Sequence, residues 1–231
     1  MKGLFGKPTV INNLETLYNV PEILTVGGAR FASVGGGRST GTKLFCVSGA
    51  VATPGVYEVA FGTTLRELLT LAGGVVGELR TILLGGAAGG FVLPDQLDVA
   101  LTLEGAREIG ATLGSGVVLA FDTTADLTGT LRRIAAFFRD ESCGQCVPCR
   151  VGTVRQEEAL ARLARGTPLG SRETELALLA DLARVMQDAS ICGLGHTAPA
   201  AIASAVELGL LDGPSPSGRS GGGRENGKVQ R

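Results

Sequence analysis

Three cysteines fall at two-residue gaps in the run Cys143-Gly144-Gln145-Cys146-Val147-Pro148-Cys149, and a fourth, Cys192, stands in Ile-Cys-Gly-Leu-Gly. Such gaps let consecutive thiolates wrap three corners of a cubane, with Gly144 permitting the tight turn and Pro148 stiffening it. Three corners need a fourth. Cys192 is the other cysteine outside the strand-like region, so Cys143, Cys146, Cys149 and Cys192 read as the ligands of a cubane iron-sulfur cluster, [4Fe-4S]. A closed zinc site is the alternative open to any four cysteines. Zinc ribbons usually pair two CxxC knuckles, however, whereas here three cysteines share one run and the fourth is distant.

The remaining residues with reactive side chains offer less. Cys46 lies within the strand-like run KLFCVSGAV and reads as a small core residue. His196 is the sole histidine and has no second histidine or carboxylate pair with which to build a site. Arg150 follows the third cysteine, and Arg132, Arg133 and Arg139 precede the first. Positive charge there would raise a cluster's potential, although Arg132 and Arg133 read as a solvated helix face. The one GxGxxA window, Gly193 to Ala198, follows a cysteine and not a strand, so it does not read as a dinucleotide loop. The glycine-rich stretch from Gly85 to Gly90 suits strand-end packing better than phosphate.

The bulk composition bounds the chemistry. A chain of 231 residues that is 44% hydrophobic can bury a real core. The formal charge of -1, from 21 basic and 22 acidic residues, provides no basic field for nucleic acid or anionic lipid. No apolar run reaches the length of a membrane span, and MKGLFGKPTV lacks the apolar stretch of a signal peptide, so a cytoplasmic location is expected. Five cysteines, three of them within seven residues, suit a metal site in a reducing compartment better than disulfides.

The elements that must position the cysteines are legible from periodicity. Residues 1–41 form a leading segment with a helical patch in PTVINNLETLYNVPEIL, followed by glycine-rich chain. KLFCVSGAV, the Pro54-Gly55 turn and VYEV predict a hairpin. Thr64 with Glu67 predicts a capped helix over 64–72, closed by Gly73-Gly74. TILLGG, FVL and VVLAF supply further strands, so residues 42–122 read as a small ββαβ unit in an α+β fold. Beyond Asp122 four helical stretches follow: LTGTLRRIAAFFRD, RQEEALARLARG, RETELALLADLARVM and APAAIASAVELGLL. Leu176, Leu179, Ala183 and Met186 mark one face of the third. Gly166 with Pro168 separates the second from the third, and Thr197 with Pro199 opens the fourth. A four-helix bundle over 123–212 would fold the Cys192 loop back toward Cys143 to Cys149. The stretch 213–231 has almost no apolar residues and is expected to be disordered.

Taken in order, GKPTVINNLETL, the unit through PGVYEV and TLREL, ESCGQCVPCRVGT and ICGLG resemble one family. It is the NADH-binding flavoprotein subunit of respiratory complex I (NADH:quinone oxidoreductase), with relatives in NAD-reducing hydrogenases and NAD-dependent formate dehydrogenases. The resemblance spans residues 3 to about 211. It implies a ubiquitin-like β-grasp (SLBB) domain over 42–122 followed by an all-α [4Fe-4S] domain. It further implies that NADH reduces FMN and that the cluster takes electrons singly for partner iron-sulfur subunits, including a thioredoxin-like [2Fe-2S] subunit. Through those partners the chain would lie at the inner face of a membrane. In that family a glycine-rich GRGGAGFPTG-like loop, which carries most FMN and NADH contacts, precedes GKPTV. Here the sequence starts at that motif, so residues 1–41 read as the link to a nucleotide domain supplied from elsewhere, and NADH oxidation by the chain alone is not expected. Asn12, Asn13 and Glu15 match the family's NNxET motif beside the flavin, where amide side chains could bond its phosphate or ring edge; a helix-start cap is the structural alternative. A non-catalytic binding module with a structural four-cysteine metal is the competing function.

Overall fold

The computed structural model describes residues 2–211. The expected disorder of 213–231 therefore lies outside the described residues. After a short 3-10 turn, α1 (Leu14–Val26) begins where Asn13 accepts the Glu15 amide in its side chain at 2.8 Å. It is followed by α2 (Gly28–Ala32) and the two-residue strands β1 (Gly35–Gly36) and β2 (Ser39–Thr40). None of the residues of α1 is buried, and Leu14, Tyr18 and Leu24 are each about four-fifths exposed.

Five strands build the main sheet: β3 (Thr42–Gly49), β4 (Gly55–Ala60), β5 (Leu79–Leu84), β6 (Gly90–Val92) and β7 (Val117–Asp122). Their order is β4-β3-β7-β5-β6, with β3 and β7 parallel and the other neighbours antiparallel. β3 and β4 form the expected hairpin, but the chain reverses before Pro54: Gly55 is already in β4, opposite Val47. Between β4 and β5, α3 (Leu65–Leu71) packs Leu65, Leu68 and Leu69 into a core with Phe45, Val47, Ile82, Leu84 and Val92. Each such leucine contributes roughly 1.5–3 kcal/mol relative to exposure. A sheet gripping one helix in this way is the expected β-grasp arrangement, with the short α4 (Leu103–Glu108) added before β7.

The start of α3 is fixed by a reciprocal cap. Thr64 Oγ1 accepts the Glu67 amide at 3.2 Å, and Glu67 Oε2 accepts the Thr64 amide at 2.8 Å. Thr64→Ala removes the acceptor for the Glu67 amide and should lower stability by about 1 kcal/mol. The expected observation is a lower urea midpoint with an unchanged slope.

Cys46 departs from the expectation of a core position. Alternation along β3 sends Phe45 and Val47 inward, and the intervening Cys46 is exposed beside Leu44. The period of two settles this orientation, since neighbours on a strand face opposite sides.

The helical part comprises α5 (Leu127–Glu141), α6 (Val147–Arg165), α7 (Arg172–Ala189), the single turn α8 (Gly193–Thr197) and α9 (Ala200–Glu207). α5 packs on α6, α6 on α7 and α7 on α9. Gly166 ends α6 with φ 67°, in the left-handed region expected of it, and Ser171 caps α7 by accepting the Thr174 amide. α6 starts eight residues before the stretch RQEEALARLARG, because Pro148 is tolerated in a first turn and the third cysteine is already helical. On α7 the buried positions are Glu175, Leu179, Ala183 and Met186, with Leu176 partly buried. Glu175 is fully buried and meets Arg162 Nη2 at 2.6 Å and Nε at 3.0 Å, while its Oε2 also accepts the Leu169 amide at 2.7 Å.

The helices lie against the sheet face opposite α3. Leu83, Phe91 and Phe121 join Leu131, Ala135, Ile202 and Ala205 in one core, and α9 packs on β6. Ser204 Oγ accepts the Phe91 amide at 2.9 Å, and Arg80 donates to the Leu210 carbonyl at 2.8 Å. No helix among the described residues is long and apolar enough to cross a membrane.

Candidate metal centre

The cysteines occupy two loops at one end of the helical part. Ser142 ends α5, Cys143 follows it, and Gly144 turns the chain with φ 71° before Cys146 takes the N-cap of α6. Arg150 donates from Nη1 to the Gly144 carbonyl at 2.8 Å and pins this loop to the first turn of α6. Cys149 lies within that turn and is 5% exposed, against exposed Cys143 and half-buried Cys146. The second loop leaves α7 at Ser190 and carries Cys192 at the start of α8.

The loops meet. The Cys146 thiol is drawn below its ordinary value of 9.0, first by the Ile191 amide and then by the Cys149 amide, with partial burial opposing them and the Ser190 hydroxyl adding to them. Ile191 is the residue before Cys192, so the second loop contributes to the lowered value of a thiol of the first. Donors of this kind favour thiolate, the form that binds metal. The positive end of the 19-residue α6 acts in the same direction.

Gly195 allows the contact to be close. A β-carbon there would come within 2.3 Å of Ser190 Oγ and 3.1 Å of Cys149 Cβ, so a residue lacking a side chain lets α8 close over Cys149. His196, expected to be structural, donates from Nε2 to the Ser190 carbonyl at 2.7 Å; a carbonyl can only accept, which sets the tautomer. The Gly193 to Ala198 window is thus the turn after α7 and follows no strand.

Two serines beside the cysteines carry a signal that motif spacing does not capture. Ser142 Oγ lies 3.3 Å from Cys149 Sγ and accepts the Gly144 amide at 3.3 Å. Ser190 Oγ is enclosed without a hydrogen-bond partner among the described residues, at the point where Gly195 closes on Cys149. Both residues precede a cysteine by one or two positions, which is the clue the sequence held. Among the described residues no three cysteine, histidine or carboxylate side chains already converge as a metal-holding group. The fit to a cluster therefore rests on the donor set: thiols from two touching loops, amide and hydroxyl donors aimed at sulfur, and one buried hydroxyl awaiting an acceptor.

Comparison with known families decides between the metals. Residues 129–208 match the family model described as the NADH-ubiquinone oxidoreductase-F iron-sulfur binding region. The chain carries a [4Fe-4S]-binding region of this F type. The F-type region follows an SLBB domain matched over residues 44–91. The F-type NADH-quinone oxidoreductase subunit of Rickettsia typhi is 38% identical over 200 residues, covering 85% of this chain and 47% of that one. Its Mycobacterium tuberculosis counterpart is 39% identical over 207 residues, covering 89% and 46%. The HndC component of the NADP-reducing hydrogenase of Solidesulfovibrio fructosivorans is 34% identical over 208 residues, covering 89% and 42%. A crystal structure of an NAD+-reducing [NiFe]-hydrogenase in the H2-reduced state superposes with a TM-score of 0.79 at 36% identity, covering 89% of this chain and 35% of that one. The chain spans about half the length of the curated relatives it matches.

The other candidates have local work. Asn13 caps α1, while Glu15 accepts Lys43 at 2.9 Å and the Leu44 amide at 2.9 Å, tying α1 to β3. Asn12 is exposed. Of the arginines, Arg139 pairs with Asp140 and Glu157, Arg133 donates to Thr130, and Arg132 is exposed. Arg150 is the one whose bond to the Gly144 carbonyl braces the cysteine loop.

Proposed function

We propose that Cys143, Cys146, Cys149 and Cys192 hold the [4Fe-4S] cluster of the F-type region and that the chain serves as a one-electron relay within a multi-subunit NADH-linked complex. The observation that carries this reading is the meeting of the two cysteine segments, where Gly195, three residues after Cys192, closes on Cys149. A bound cluster of this kind supplies single-electron acceptance at a potential set by its surroundings. The chain's own residues hold and shield it: Arg150 braces the first loop, His196 fixes the second, and Gly195 lets them touch. The electron source is FMN reduced by NADH, as the resemblance implies, on a nucleotide domain. Asn12 and the amide nitrogen of Asn13 are the groups left to reach a flavin brought alongside, since Glu15 is held by β3. Electrons leave to partner iron-sulfur subunits, the thioredoxin-like [2Fe-2S] type among them. We place the domain boundaries at residues 41, 122 and 212 and the chain on the cytoplasmic side.

Anaerobic purification with iron, sulfide and zinc analysis tests the proposal. About four irons and four sulfides per chain are expected, with visible absorption that bleaches on adding dithionite. Stoichiometric zinc without iron would overturn the electron-transfer reading and favour a structural four-cysteine metal in a non-catalytic binding module.

A further inference from the structure

We propose that Ser142 and Ser190 are paired hydroxyl donors that raise the reduction potential of the cluster, one from each cysteine loop. The inference rests on the four-cysteine site proposed above.

At Ser142 the direction of the bond follows from what each atom can do. Its Oγ accepts the Gly144 N–H at 3.3 Å and lies 3.3 Å from Cys149 Sγ. A ligating cysteine has lost its proton, so the sulfur only accepts and the serine hydrogen must point to it. With Cys149 5% exposed, water does not compete freely for that sulfur.

Ser190 supplies the independent observation. The residue is 8% exposed, and its Oγ is one of two buried side-chain polar atoms without a partner among the described residues. A hydroxyl buried without a partner carries an uncompensated desolvation cost. The other bonds of Ser190 fix its place: its amide donates to the Met186 carbonyl, and its carbonyl accepts His196 Nε2. Gly195 stands where any side chain would strike the Oγ. The hydroxyl is thereby held where α8 closes on Cys149, and a cluster-bound thiolate is the acceptor that would complete it.

The consequence for redox is one of charge. Adding an electron to the cluster increases the negative charge on its sulfurs, so a donor aimed at them stabilises the reduced form more than the oxidised one and raises the potential. No proton changes owner, and no bond is made or broken.

The test is a redox titration of the full chain followed by electron paramagnetic resonance, on the parent, Ser142→Ala, Ser190→Ala, the double variant and Ser142→Thr. The double variant should keep its iron and sulfide while its reduction equilibrium shifts about tenfold toward the oxidised form, a midpoint lower by about 59 mV for one electron. Each single alanine variant should show part of that shift, and Ser142→Thr should retain the parent potential because the hydroxyl survives. A fully loaded double variant with the parent midpoint overturns the inference and leaves the four-cysteine site standing. Loss of the cluster from an alanine variant overturns it as well, since a tuning role predicts full occupancy. A parent chain without iron overturns the site itself.

Discussion

Cys192→Ser is expected to take the iron content from about four per chain to near zero, with loss of the visible absorption, whereas Cys46→Ser keeps both. The difference follows from position. Cys143, Cys146 and Cys149 lie on the turn into α6 and on its first turn and can cover three corners of a cubane, and the segment after α7 that closes on Cys149 carries Cys192. Cys46 is on β3, exposed between Phe45 and Val47, and belongs to neither loop. Serine is a poor substitute because its hydroxyl does not ionise as a thiol does near neutral pH. The measurement is iron and sulfide per chain after anaerobic purification. Retention of a normal cluster by the Cys192 variant would refute the ligand set.

Glu175→Ala should cost about 3 kcal/mol, the lower end of what breaking a buried ion pair costs, because Arg162 keeps 18% exposure and can turn partly to solvent. The loss exceeds that of one bond, since the Leu169 amide also loses its acceptor. For a chain of this length it corresponds to a melting temperature lower by roughly 6–12 °C. The pH dependence has a definite sign. Arg162 holds the Glu175 carboxyl below its ordinary value of 4.5, with burial opposing it and the Leu169 amide assisting. A depressed carboxyl contributes stability that is present above the unfolded value and lost as the pH falls through the folded one. Acid unfolding of Glu175→Ala should therefore be flatter below about pH 4.5 than that of the parent. Thermal melts across pH 3 to 7 would show it, and parallel curves would refute the assignment.

Much of the fold was legible because local chemistry and global packing agree. Thr64 with Glu67 forms the cap it predicts, the hairpin of β3 and β4 forms although its reversal precedes Pro54, and Gly166 closes α6. The parallel pairing of β3 with β7 was not legible, since it joins segments some seventy residues apart with no local signal. Glu175 was hidden for a different reason. A pattern of apolar spacing reads a charged residue as outward, and nothing in one helix announces an arginine waiting on another. At the candidate site the four cysteines stood out by type and spacing. The serines did not, because serine is common and its role depends on which loop lies opposite.

The apolar interior that unites Leu83, Phe91 and Phe121 with Ile202 and Ala205 has a consequence for how the molecule comes apart. Two family models divide this chain into consecutive modules, but those modules have no free faces where they meet. The interior joins the sheet to the helices that follow β7, and Ser204 and Arg80 bond between the two. Cutting the chain there would leave each fragment with a raw hydrophobic wound. The β-grasp sheet and the cysteine-bearing helices are thus tenants of one interior.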